Sequence, residues 1–170
     1  MKISVALLAL ILGCQIAVGG RVDLPKEKPQ LVSIQMPDHW QMGLDGDGVT
    51  AHPANDTKVM ISVFSLSGAS TLEDAFAIAT KQVSAIYRDV KIGKLSRQNQ
   101  AGINFFGGQG EAEKDGFELM LAVAAFSPDG KHFFGLAWTR GERSDDAYIK
   151  DIDKALASIQ PFKELQKPAK

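Results

Sequence analysis

The spacing of apolar and polar residues predicts a sheet over most of the chain. Apolar side chains recur at every second position in short runs, which is the period of a half-buried strand, and the runs end at turn-forming residues. Two runs, 59–64 and 117–126, are apolar at almost every position, which indicates strands buried on both faces in mid-sheet. The predicted strands are 31–36, 40–44, 49–52, 59–64, 90–95, one beginning at 103, 117–126 and 132–138.

Two helices are predicted from start signals followed by a helical period. Ser70-Thr71-Leu72-Glu73 fits a capping box, in which the Ser70 hydroxyl and the glutamate carboxylate accept hydrogen bonds from backbone amides. The apolar spacing that follows predicts a first helix up to about Asp89. Ser144 is the predicted cap of a second helix, whose apolar face runs from Ile149 to Ile159.

The order of these elements predicts one α+β domain over residues 31–162. Strands, a helix, a run of antiparallel strands and a second helix are typical of helices packed on an antiparallel sheet. The polar segment 20–30 contains two prolines, which predicts a linker or an extended beginning of the domain. The charged residues 163–170 are expected to form a flexible tail.

The first nineteen residues have the pattern of a secretory signal peptide. One lysine is followed by an apolar run at 3–12 and then by small residues, as in a signal peptide. The apolar run is too short to span a bilayer as a mature helix. Ala17-Val18-Gly19 fits a cut that releases a soluble protein, whereas Ile11-Leu12-Gly13-Cys14 fits a lipobox whose cysteine becomes lipidated. The protein is therefore expected in the bacterial periplasm or, lipidated at Cys14, tethered to a membrane, where Gln15 favours the outer membrane.

Composition excludes several function classes. The 19 basic and 20 acidic residues give a net charge of −1, so the chain lacks the basic footprint expected for nucleic-acid binding. Cys14 is the only cysteine, so no disulfide can form within the chain. We expect no cofactor.

Several of these elements together resemble a known family. Met36-Pro37-x-x-Trp40, the apolar strand at 59–64, Thr71-Leu72-Glu73 and a last helix ending Ala-Ser-Ile-x-Pro-Phe at 157–162 are similar to the PsbP-like superfamily, which includes exported bacterial proteins of the DcrB type. The resemblance implies an αβα sandwich around an antiparallel sheet. It also implies an extrinsic or partner-binding role without general catalytic machinery, so no active-site residues are transferred.

Motifs for specific chemistry are incomplete. Asp45-Gly46-Asp47-Gly48 begins like a calcium loop, but the sixth position from Asp45 is Thr50 and the twelfth is Asp56, where the loop requires glycine and glutamate. The glycines at 107, 108 and 110 lie in a strand pattern, which predicts a bulge or a close backbone contact. The histidines at 39, 52 and 132 lack metal-ligand spacing. We predict neither catalytic nor metal-binding residues.

One set of residues is a candidate partner surface. Phe134, Leu136, Trp138 and Arg140 share one face of a predicted strand. If a helix covers this face it belongs to the core. If Trp138 and Arg140 are exposed beside Trp40 and His39, they form an aromatic and arginine-rich patch of the kind enriched in binding hot spots.

The sequence therefore predicts a non-enzymatic envelope protein that acts as an accessory module by binding an unidentified envelope protein. One alternative is an envelope hydrolase with a site assembled near Asp45, Asp47 and His52. Another is a carrier of a small lipid or ligand, which requires an apolar cavity between sheet and helix.

Overall fold

The computed structural model describes residues 17–27, 29–142, 144 and 146–162. The predicted signal core with Cys14 and the predicted tail lie outside the described residues. The elements are β1 Ala17–Val18, β2 Arg21–Leu24, β3 Val32–Gln35, β4 Trp40–Asp45, β5 Gly48–Pro53, β6 Met60–Leu66, α1 Leu72–Ser84, β7 Arg88–Ile92, β8 Ser96–Gln100, β9 Ile103–Lys114, β10 Phe117–Ser127, β11 Phe133–Gly141, α2 Asp146–Ala157 and β12 Gln160–Pro161.

The large sheet is antiparallel and runs in the order β1-β4-β5-β6-β11-β10-β9. Strands β7 and β8 both pair with the outer edge of the long strand β9, at different positions along it. The two runs predicted to be central are confirmed, because β6 and β10 each have a neighbouring strand on both sides. A small sheet, β12-β3-β2, is also antiparallel.

Two apolar layers cover the two faces of the large sheet. On one face α1 buries Ala75, Ala79 and Val83 in a core that includes Leu121 and Val123 of β10. On the other face a second core joins the large sheet to α2 and the small sheet. Its members include Ile61, Val63, Phe134, Leu136, Ile152, Ala155, Val32 and Ile34. The predicted α+β class, an antiparallel sheet flanked by helices, is confirmed.

Segment 20–30 was predicted as a linker or as an extended beginning of the domain, and in its first part the linker prediction is wrong and the extended beginning is correct. Arg21–Leu24 forms strand β2, which pairs with β3 in the small sheet. Val22 and Leu24 lie at alternate positions and are both buried, so this short alternation outweighs the two prolines that follow it.

The start of α1 lies one residue later than the capping box predicts. Thr71 is the N-cap, and its hydroxyl accepts a hydrogen bond from the Asp74 amide at 3.1 Å. The Ser70 hydroxyl instead donates to the Asp74 carboxylate at 2.6 Å. Hydrogen bonds to the Asp74 carboxylate, first from the Ser70 side chain and then from that of Thr71, hold the pKa of Asp74 below its ordinary value.

The ends of the predicted helices also differ from the structure. Helix α1 ends at Ser84, and Asp89, near which the helix was predicted to end, lies in β7 with a φ of 49°. The hydroxyl of Ser144, the predicted cap of α2, is buried and has no hydrogen-bond partner in the described part of the chain. No described helix is long and apolar enough to cross a membrane.

Candidate functional site

A half-open groove of about 470 Å³ lies on the face of the large sheet beside α2. Strands β8, β9, β10 and β11 each contribute to it, and the end of α2 forms one wall. Its lining residues are Lys94, Ser96, Gln98, Gln100, Phe105, Gly107, Gly108, Gln109, Ala122, Val123, Ala124, Leu136, Trp138, Leu156 and Ile159. The volume lies within the range of roughly 300–1,000 Å³ that is typical of small-molecule sites.

Small residues make the groove deep. Ala122 and Ala124 of β10 lie at alternate positions on this face, and Gly107 of β9 is opposite Ala124. A Cβ atom on Gly107 would lie 2.3 Å from the carbonyl oxygen of Val123. Only glycine therefore allows β9 to approach β10 so closely. This is the close backbone contact that the glycines at 107, 108 and 110 predict as an alternative to a bulge.

Aromatic side chains support one end of the groove. The Phe105 ring stacks on Phe126 with centroids 4.9 Å apart, and Phe126 stacks on Phe134 at 5.4 Å. Phe126 and Phe134 are fully buried, so the core holds the exposed edge of Phe105 in place. Trp138 on β11 is half-buried and also packs against this core.

The polar rim comes largely from β8 and the segment before it. Ser96, Gln98 and Gln100 lie at alternate positions of β8 and share the groove face. The side-chain amide of Gln100 is engaged by main-chain oxygens of the α2 end. Arg97, at an intervening position of β8, forms an ion pair with Glu73 of α1 on the opposite side of the sheet. Lys94 is thus the one charged side chain among the lining residues.

The structure separates the residues of the predicted partner surface. Trp40 is 1 % exposed and packs edge-on against Tyr148, with ring centroids 6.3 Å apart. It therefore belongs to the core and not to a surface patch, because α2 covers this part of the sheet. Trp138 lines the groove, while Arg140 lies half-buried on the same face of β11. His39 is exposed, with its Nε2 3.1 Å from Asp151 of α2.

Asp47 and His52, two residues of the hydrolase alternative, do not converge. Asp47 occupies the turn between β4 and β5, and His52 lies five residues further along extended β5, a separation of about 16 Å. The His52 Nδ1 atom is 2.8 Å from the carbonyl oxygen of the next residue, Pro53. The Asp45 side chain lies outside the described part. Within the described residues, no group of three or more histidine, cysteine or acidic side chains is placed to bind a metal ion.

Of the groove, the sequence predicts only Trp138 as a candidate binding residue, and the carrier alternative requires a cavity between sheet and helix without giving its residues. The rim of the groove depends on β8, whose five residues Ser96–Gln100 are all polar and show no apolar alternation. The one signal available was the row of small residues in β10, since Ala122 and Ala124 leave space on one face of a central strand.

Comparison with known proteins places the fold. No protein-family model and no curated protein matches this sequence. PsbP (CyanoP) from Synechocystis sp. PCC 6803 is similar in structure, with a TM-score of 0.55 and 15 % identity over 91 % of this chain and 99 % of that protein. The chain has a PsbP-like fold.

Other proteins share this PsbP-like fold. LpqN, which is involved in cell envelope biogenesis of Mycobacterium tuberculosis, has a TM-score of 0.56 and 11 % identity, over 84 % of this chain and 91 % of LpqN. A protein from Bacteroides thetaiotaomicron VPI-5482 has a TM-score of 0.58 and 14 % identity over 88 % of this chain. This chain spans half the length of that protein. At such identities the likeness establishes the PsbP-like fold alone.

Proposed function

We propose that this PsbP-like domain is a non-enzymatic accessory module of the bacterial cell envelope, which acts by binding another molecule in the groove beside Trp138. The lining of the groove carries this proposal. It combines an aromatic and aliphatic wall with a rim of amide, hydroxyl and ammonium groups. A few polar groups around an apolar pocket are typical of sites that orient a ligand.

The N-terminal pattern supports export. Residues 1–19 have the charged, apolar and small-residue segments of a secretory signal. The involvement of LpqN in cell envelope biogenesis is consistent with an envelope location for this fold. The prediction of an envelope protein as partner, contacted through Trp138 and Arg140, stays a prediction.

Strand β1 favours the lipobox cut and hence a membrane tether at Cys14. Ala17 and Val18 pair with Met42 and Gln41 of β4, and the Gly19 amide donates a hydrogen bond to the Trp40 carbonyl oxygen at 3.0 Å. A cut after Gly19 would remove these contacts, whereas a cut before Cys14 keeps them. Intact mass spectrometry of the native membrane fraction is expected to show acylated Cys14 as the first residue; a mature chain beginning near Gly20 would refute the tether.

Photo-crosslinking in the native envelope tests the groove. A photoreactive residue in place of Gln98, on the rim, is expected to form an adduct with the bound molecule. The adduct should be lost in Ala124→Phe, whose ring fills the groove above β10. The same photoreactive residue at Gln82 of α1, exposed on the opposite face, is the matched control. Equal adducts at both positions, or an adduct at Gln98 that Ala124→Phe leaves unchanged, would refute binding in the groove. The adduct mass distinguishes a protein from a small ligand.

A further inference from the structure

The groove is polar at one side and apolar at the other. The side at the sheet edge presents the ammonium, hydroxyl and amide groups of Lys94, Ser96 and Gln98. The side beneath α2 presents the aliphatic side chains of Leu136, Leu156 and Ile159, and the Gln100 amide there is engaged by main-chain oxygens. An occupant that satisfies both sides must itself have one polar end and one apolar end.

The dimensions fit one alkyl chain. From β8 to β11 the groove crosses three strand spacings, or about 14 Å. A medium-length chain can lie on the groove within that width, with its head at Lys94. A volume of about 470 Å³ lies in the lower half of the usual range for ligand sites, which favours one chain over two.

The charge of the rim favours an anionic head. Lys94 is the one charged lining residue, and no lining residue carries a carboxylate. Ser96 and Gln98 add neutral hydrogen-bond donors beside it, while Gln100 is already engaged with α2. Gln109 of β9 also lines the groove, so a carboxylate at this edge would meet one ammonium group and three neutral side chains that can donate.

The apolar side argues against a peptide segment as the occupant. A peptide backbone carries an N–H and a carbonyl at nearly every residue, and burying these groups unpaired costs free energy. The side chains of Phe105, Leu136 and Leu156 offer no partner for them. An alkyl chain has no such requirement.

From this gradient of polarity and charge we propose that the groove binds a free single-chain amphiphile with an anionic head, of the fatty-acid class. The alkyl chain lies over Ala122 and Ala124 toward α2, and the carboxylate lies at Lys94. The inference rests on the proposed function, since it specifies the occupant of the same groove.

Titration calorimetry with the full mature domain and monomeric alkanoates tests the occupant. From hexanoate to dodecanoate, affinity is expected to rise about fourfold per added CH₂ group until the chain outgrows the groove. Lys94→Gln should weaken dodecanoate binding about two- to fivefold and reduce its dependence on salt. Lys81→Gln, which removes an exposed lysine of α1 on the opposite face, is the matched control and should bind like the wild type.

Quenching by a brominated dodecanoate locates the chain without filling the groove. The chain contains two tryptophans, so Trp40→Phe leaves Trp138 as the sole tryptophan and Trp138→Phe leaves Trp40. The bromine atom is expected to quench the fluorescence of Trp138 and to leave the fluorescence of buried Trp40 unchanged. Equal quenching of both tryptophans, or of neither, would overturn the inference.

The outcomes separate this inference from the proposed function. Crosslinking at Gln98 together with absent alkanoate binding would overturn the amphiphile but keep the groove as a binding site. Absence of both would overturn both. Adsorption to phosphatidylglycerol vesicles without binding of monomeric dodecanoate would assign the surface to a bilayer, and a protein adduct at Gln98 that dodecanoate cannot displace would assign it to a partner protein. Either result contradicts a free amphiphile.

Discussion

Gln100 joins β8, the strand that forms the groove rim, to the end of α2. Its side-chain Nε2 atom donates to the carbonyl oxygen of Leu156 at 2.8 Å and lies 3.3 Å from that of Ile159. The last carbonyls of a helix have no partner within the helix, so Gln100 supplies a cap from a distant part of the sequence. The same contact fixes the distance between the rim and the wall of the groove.

Gln100→Ala is expected to lower the free energy of unfolding by about 1 kcal/mol, because it removes the side-chain hydrogen bonds to two carbonyl groups, of which that of Leu156 keeps the Ile159 amide as a donor. Urea denaturation measures the change. Gln98→Ala is the matched control on the same face of β8, and since Gln98 is exposed its effect should stay within about 0.5 kcal/mol. Equal effects of the two substitutions would show that the contact with α2 contributes nothing.

Gly110 of β9 is required where the paired strand β7 lies close to it. A Cβ atom at this position would lie 1.8 Å from the Lys91 carbonyl oxygen, so Gly110→Ala must displace one of the two strands. We expect a loss of about 1–3 kcal/mol in the free energy of unfolding, as for other overpacked sites.

Gly43→Ala provides the control for Gly110. Gly43 is also in a strand, but a Cβ atom there would meet no atom within 4 Å and its φ is not positive. This substitution should be neutral or stabilise by up to about 1 kcal/mol. A Gly110→Ala variant as stable as Gly43→Ala would contradict the close approach of the strands.

The sequence predicts the layers of the fold because burial imposes a period on the chain. The alternation in β11 places Phe134, Leu136 and Trp138 on one face, as the structure shows, and the continuous apolar run of β10 reflects two covered faces. Strand β8 was missed because its position is set by the turn at Ala101-Gly102 and by pairing with β9, and not by burial of its own side chains.

The candidate site was less predictable than the fold. Trp40 and Trp138 both follow strand patterns, yet one is buried under α2 and the other borders an uncovered part of the sheet. That difference depends on where α2 ends relative to the sheet, which is a long-range property. The groove exists because Gly107, Ala122 and Ala124 have small side chains or none. A pattern of apolar residues does not show where such a gap will form.

Substitution of the two tryptophans should therefore have different effects. Trp40→Ala removes a fully buried ring and is expected to lower the free energy of unfolding by about 3–5 kcal/mol. Trp138→Ala should lower it less and should instead weaken dodecanoate binding. Chemical denaturation and calorimetry measure the two effects, and a greater loss of stability for Trp138→Ala would contradict the assignment of Trp40 to the core.

The turn between β10 and β11 should make stability depend on acidity through Asp129. Burial raises the pKa of this carboxyl, but hydrogen bonds from the backbone and ring of His132 and from the Lys131 amide outweigh burial and hold the pKa below its ordinary value. Oδ1 accepts from the Lys131 and His132 amides at 2.9 and 2.8 Å, and Oδ2 lies 2.6 Å from the His132 ring.

Folding thus favours the ionised form of Asp129. Its contribution is fully present above the pKa of the unfolded chain and is lost as the pH falls through the lower pKa of the folded state. The difference in unfolding free energy between wild type and Asp129→Asn should therefore be constant above about pH 5 and shrink at lower pH. Denaturation of both proteins across this range, with exposed Asp153→Asn as the control, measures it. A difference that grows as the pH falls would show that the hydrogen bonds at the turn do not favour the carboxylate.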